Sequence, residues 1–305
     1  LFYVLICILF FQNNHKSIKM KKILLIFFFA LLGCDQVEPQ KNVSEEDNMW
    51  TFEDTDGTYI QWLSEKSNAN EMLFHAMKHM YNVERQKSQT FFEKALEYDS
   101  NLFAPHVVLA GLARKGSNKE KMHIDKAKEL VSNNNETSKL FVSLLDIERG
   151  GANWPLISKG AHDLWSRMRK LEPKGKLIHY FYAFTTPGYD NKIKEMENLL
   201  KEIKYKEGDN NSMPVSGDHT YMIPPIINSL GYFHYAKGDK LKAKTLFEEY
   251  IDSYPNGYNP YDSMGEFYFN EGDFENALIY YNKAIDNYPS SIPARTMLNR
   301  INNKK

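Results

Sequence analysis

From about residue 70 to the C-terminus, apolar side chains recur three and four positions apart, as in Leu140, Leu144 and Ile147. That spacing puts them on one face of a helix. The runs are interrupted by SNNNE, GGANWP, EPKGK and PGYD, whose glycines, prolines and asparagines end helices and start turns. The punctuation predicts helix pairs at about 70–99, 103–131, 137–171 and 175–206. Residues 207–223, EGDNNSMPVSGDHTYMI, carry no period and read as a long loop, a kind of segment that is often functional. Helical spacing resumes at residue 224, and IPARTMLNRI at 292–301 reads as a terminal helix over the apolar face of the last unit. The expected fold class is all-α.

The C-terminal part repeats itself. Shifted by 34 residues, GDFENALIYYNKAIDNYP (272–289) falls on GDKLKAKTLFEEYIDSYP (238–255), pairing Gly272 with Gly238, Ala277 with Ala243, Tyr281 with Phe247 and Pro289 with Pro255. Upstream, MGEFYFNEGD falls on LGYFHYAKGD and pairs Gly265 with Gly231. A unit of this length, with Tyr261, Met264, Gly265, Tyr268, Ala277, Tyr281, Ala284 and Pro289 in place, resembles the tetratricopeptide repeat, two antiparallel helices that stack. The preceding copy carries Ile227, Leu230, Gly231, His234, Ala243, Phe247, Tyr250 and Pro255, with His234 and Tyr250 departing from the pattern. One such pair cannot bury its apolar stripes alone, so stacking supplies the core. The resemblance implies an α-α superhelix of about six pairs: divergent ones over 50–223, clear ones over 224–291, then a cap and tail over 292–305. It also implies that binding belongs to the concave face of the first helices. Here those positions are Asn228, Tyr232, Tyr235, Asp262, Glu266 and Phe269, a polar, acidic and aromatic mixture suited to a basic or neutral extended peptide.

The N-terminal stretch MKKILLIFFFALLGCD (20–35) has a short basic region, an apolar run and a small-residue ending, the order of a signal peptide over 20–33. The run is too short to span a bilayer comfortably. Its ending resembles the lipobox of bacterial lipoproteins, with Leu31, Leu32 and Gly33 before Cys34. The resemblance implies that Cys34 is acylated and becomes the mature N-terminus, anchored in a membrane of the cell envelope. Asp35 resembles an inner-membrane retention signal of enterobacteria. The polar stretch 34–49 reads as a flexible tether. Residues 1–19 begin without methionine and read as an upstream segment outside the natural protein, which would leave Cys7 without a role.

Composition narrows the partners. The 305 residues carry a net charge of −1, which gives no basic footprint for nucleic acid. Two cysteines near the N-terminus exclude a disulfide framework or a multi-cysteine zinc site in the rest of the chain. His75 and His79 share a helix face but lack the glutamate of a zinc-protease motif. Asp54, Asp56 and Glu65 have calcium-loop spacing, yet Tyr59 occupies the position that needs glycine. Asp218 and His219 would need a nucleophile beside them, and no nucleophile elbow, phosphate loop or dinucleotide fingerprint is present. Tyr258 is a further aromatic that could stack on a ligand. Together these features predict a non-enzymatic, membrane-anchored scaffold for a protein or peptide partner, with no metal or cofactor. The alternatives are a glycan- or peptide-capturing lipoprotein, or an enzyme with its site in 137–223.

Overall fold

Thirteen α-helices follow one another among the described residues of the computed structural model, which are 59–148, 155–158, 160–204 and 220–303, and no strand occurs there. They pair as α1 (Ser67–Tyr81) with α2 (Arg85–Tyr98), α3 (Phe103–Leu112) with α4 (Asn118–Leu130), and α5 (Glu136–Ser143) with α6 (Ala161–Leu171). Next come α7 (Lys176–Thr185) with α8 (Tyr189–Lys204), α9 (Ile223–Lys237) with α10 (Lys240–Ser253), and α11 (Asn259–Asn270) with α12 (Phe274–Asn287). Helix α13 (Ile292–Asn302) closes the series. The predicted six pairs and terminal helix are all present, in one compact unit, Thr51–Lys305. None of these helices is long and apolar enough to cross a membrane.

Local chemistry explains the turns inside the two repeated units. Gly238 and Gly272 end the first helices at φ 90° and 80°, a left-handed conformation that glycine adopts without steric cost. The aspartate that follows each glycine then caps the next helix. Asp239 accepts from the Lys242 amide at 3.2 Å, and Asp273 accepts from the Asn276 amide at 3.1 Å. The Gly-Asp step therefore stops one helix and starts its partner.

The same units show why small residues recur. Ala277, Tyr281 and Ala284 are buried, with Tyr281 filling the space against α11. A Cβ on Gly265 would lie 2.9 Å from Tyr281 Cδ1, and one on Gly231 would lie 2.7 Å from Phe247 Cε1. Gly265→Ala should destabilise the protein by about 1–2 kcal/mol. Overpacking of about 1–3 kcal/mol is only partly offset by alanine's roughly 1 kcal/mol advantage in a helix. Urea unfolding of Gly265→Ala against wild type checks this; an unchanged midpoint would refute the close-approach argument.

The third pair departs from a plain hairpin. Helix α5 has eight residues and runs into a 3-10 turn at Leu144–Asp146, and a second 3-10 turn at Pro155–Ile157 precedes α6. Trp165 on α6 is fully buried and donates from Nε1 to the Leu156 carbonyl at 2.7 Å, which ties that connection to the core.

An open stack would leave the first pair touching only the second. Here the α1–α2 turn reaches α10 and α11. Asn82 accepts from the Tyr250 hydroxyl at 3.1 Å. Glu84 accepts from the Tyr254 hydroxyl at 3.1 Å and from the Tyr258 amide at 2.9 Å. Between them Val83 sits at φ 59°, a conformation costly for a β-branched residue. Glu84 is fully buried and also meets His79 Nδ1 at 2.5 Å and Lys87 Nζ at 3.5 Å. Burial alone raises its carboxyl pKa, but the His79 hydrogen bond, the Lys87 charge and the Tyr258 amide outweigh that and hold it below the usual range. The superhelix closes on itself through this turn.

Candidate partner-binding face

The repeat register places residues 228 and 262, 232 and 266, and 235 and 269 at equivalent positions of α9 and α11. The structure divides these six residues into three groups. Tyr232 donates its hydroxyl to Glu266 at 2.7 Å, across the boundary between the units. Its ring meets Phe247 edge-on, with centroids 5.0 Å apart, and burial followed by the Glu266 carboxylate pushes its hydroxyl pKa up. Tyr235 makes a parallel link to Glu271 at 2.8 Å, and Lys240 holds the same carboxylate at 2.9 Å. Both tyrosines thus join one unit to the next, while the Glu266 side of the cluster remains exposed.

Asn228 is enclosed, only 4% exposed, so a partner cannot reach it without moving its neighbours; its Oδ1 has no hydrogen-bond partner. Phe269 turns away toward the cap, with the Arg300 guanidinium 4.9 Å from its ring and Phe274 at 5.4 Å. Tyr258, the other candidate for stacking on a ligand, is 2% exposed and stacks on Tyr288 at 5.2 Å.

Asp262 is the unusual member. It lies in the first turn of α11, where the helix dipole favours negative charge. Its Oδ1 nevertheless has no hydrogen-bond partner, and burial, followed by repulsion from Glu266, raises its carboxyl pKa to about 7. It faces a cavity of about 530 Å³. Arg85, Gln86 and Gln89 of α2 line the same cavity, with Leu112 at the end of α3 and Pro293 at the start of α13. Arg85 makes no ion pair with Asp262 or with any other described residue. Sequence reasoning located Asp262 through the repeat register, but it missed Arg85. That residue sits on a second helix, and it shares the cavity with Asp262 of α11.

The other candidate residues are placed as follows. His79 is committed to Glu84, and His75 stacks near Phe91 at 5.1 Å with its pKa lowered by burial. Among the described residues no group of three or more histidine, cysteine or acidic side chains could hold a metal ion. Glu65 is exposed. Leu31, Leu32, Gly33, Cys34, Asp54, Asp56, Asp218 and His219 lie outside the described residues.

Two family models match the chain, both described as tetratricopeptide repeat, over residues 229–257 and 258–291. These two units are tetratricopeptide repeats. No curated protein matches the chain. Among solved structures it is similar to PilW, a type IV pilus biogenesis factor, at 12% identity and TM-score 0.39, over 76% of this chain and 99% of that one. Yeast Tom70 is similar at 13% identity and TM-score 0.42, over 74% of this chain and 47% of Tom70. A MamA variant is similar at 10% identity and TM-score 0.32, over 74% of this chain and 98% of that one. In the two matched repeats, the first helices α9 and α11 carry the Tyr232–Glu266 cluster and Asp262.

Proposed function

We propose that the protein is a lipid-anchored, non-enzymatic scaffold that holds a protein partner at the bacterial cell envelope through the inner face of α9 and α11. The observation that carries this reading is Asp262, a partly enclosed carboxylate whose Oδ1 is unpartnered, next to the exposed Glu266. Such an acidic site favours a partner that brings positive charge, which steers association and selects against acidic competitors. The tetratricopeptide units support protein binding as the mode of action. The anchor rests on the sequence alone, where Leu31, Leu32 and Gly33 precede Cys34. Several acyl chains, at about 0.8 kcal/mol per buried CH₂, would hold it in the membrane effectively permanently.

Two measurements test the two halves. Metabolic labelling with a fatty acid should mark the wild-type protein and not Cys34→Ala; equal labelling of both removes the anchor. A photo-crosslinking residue at Glu266, activated in cells, should capture a discrete protein, and the same probe at Lys126 on α4 should not. Capture of the same proteins from both positions, or of none, defeats the scaffold.

A further inference from the structure

A second cavity, of about 80 Å³, is bounded by the end of α1, the α1–α2 turn, α2 and α7. Its lining changes character with depth. Met80, Tyr81, Tyr180 and Phe181 are at most 6% exposed and form the floor. The Tyr180 hydroxyl is bonded to Ser229 Oγ at 3.0 Å, and the hydroxyls of Tyr81 and Ser88 are enclosed. The floor therefore presents rings and a thioether. Val83 and Arg85 line the same cavity but are exposed, so they mark its mouth. The turn places both. Asn82 and Glu84 are fixed by their contacts with α10 and the α10–α11 connection, and Val83 between them is left 41% exposed at φ 59°. Arg85 follows as the first residue of α2.

A floor of this kind, with no accessible side-chain hydroxyl, favours an apolar group. Its volume is about half of the roughly 150 Å³ that holds the six carbons of benzene, so it takes about three carbons of a chain. Arg85 is the one charged side chain among the residues lining it. Its guanidinium is unpaired among the described residues, and its fork of donors fits a carboxylate. A cationic ligand is repelled at that mouth, and a sugar finds no hydrogen-bonding side chain on the floor. A phosphate head carries nearly two charges at neutral pH and would meet a single cation. It would also meet Asp262, which lines the larger cavity together with Arg85.

We infer that the smaller cavity binds an aliphatic monocarboxylate tail first, with the chain end among Met80, Tyr180 and Phe181 and the carboxylate on Arg85. This goes beyond the partner face, because no residue of α9 or α11 lines the cavity. Depth reads the length of the chain, and the mouth reads the sign and number of charges on its head.

The test uses the full chain, purified free of detergent and carrying ¹³C in its methionine methyl groups, with straight-chain carboxylates from butanoate to decanoate. The Met80 methyl resonance, assigned by its loss in Met80→Leu, should shift saturably. Affinity should rise about fourfold per carbon over about three carbons, at about 0.8 kcal/mol per buried CH₂, and then level off. At the best length, the alcohol and the alkyl phosphate should bind about two- to fivefold more weakly, the range of an exposed ion pair. Arg85→Gln should lower the carboxylate to the level of the alcohol and leave the alcohol unchanged. Phe184→Leu, which widens the cavity, should carry the gain on to longer chains. Ile157→Phe, which narrows it, should end the gain earlier without altering the circular dichroism spectrum. Should Ile157→Phe misfold, Phe184→Leu decides, and an unchanged levelling point overturns the assignment of the chain end. A Met80 methyl that moves with no chain, a carboxylate bound no better than its alcohol, or a phosphate bound more tightly than either sinks the inference.

Discussion

Replacing Asp262 by asparagine should raise the melting temperature at pH 8 by about 5 °C or more. In the unfolded chain this aspartate loses its proton near the ordinary value of 3.8, whereas in the fold burial and Glu266 delay the loss to about pH 7. Between those values the native state binds more protons than the unfolded state, so the contribution of Asp262 to stability falls as pH rises and is fully unfavourable above about 7. The shift corresponds to about 2–4 kcal/mol, at about 1.4 kcal/mol per pH unit with allowance for relaxation. For a chain of this size each kcal/mol moves the midpoint by about 2–4 °C. Asparagine keeps the shape and removes the charge, so the gain should vanish near pH 4. His106 acts in the opposite sense, since burial and the neighbouring His123 lower its pKa to about 4 and its contribution therefore rises between about pH 4 and 6.5. For that reason the difference between variant and wild type isolates Asp262, where the wild-type profile alone does not. Thermal melts from pH 4 to pH 8 measure it. No gain at pH 8 would mean that a cation of the chain already neutralises the site.

The second large effect lies at the closing turn. Glu84→Ala should cost about 3–5 kcal/mol, the range for removing one member of a buried charged cluster. It would leave His79, the Tyr254 hydroxyl and the Tyr258 amide without their common acceptor, the fully buried Glu84 carboxylate. Surface pairs give the contrast. Lys126 and Glu129 meet at 2.7 Å but are about half exposed, so Glu129→Ala should change stability by less than about 1 kcal/mol. Because its folded pKa is depressed, Glu84 contributes fully above its ordinary value of 4.5, and the contribution is lost as pH falls through the lower folded value. Urea unfolding at pH 7 compares the two variants, and equal midpoints would show that the closing turn is not held by Glu84.

The helix pairs were readable because the signals for them are local. Period, glycine and proline together placed the outer limits of the first four helix pairs close to those observed, even where no repeat signature survives. The Gly-Asp step and the alanines of α12 carried the stacking geometry as well. The register located Asp262 but misjudged Asn228, because one repeat position faces a cavity in α11 and is enclosed in α9. Burial of that kind depends on the neighbouring unit, which the repeat itself does not encode. The α1–α2 turn was invisible for a different reason. Its partners lie 168 to 174 positions away, and nothing in the short run Asn82-Val83-Glu84 marks it as a contact. Arg85 was overlooked with it, since it stands on a second helix, outside the first-helix positions that the repeat register singles out.

That turn also changes what kind of polymer the fold is. A linear array of repeats behaves as a one-dimensional system, in which each unit feels only its neighbours and the terminal units fray first. Joining Glu84 to the Tyr254–Tyr258 segment gives units one, five and six shared contacts, so none of them can peel away without breaking a buried charged cluster. Joining points so far apart in sequence carries a loop-closure cost that grows slowly with length, and folds rich in such contacts form slowly. The array therefore has a latch that ties its first unit to its last two, and its ends are no longer its weak points.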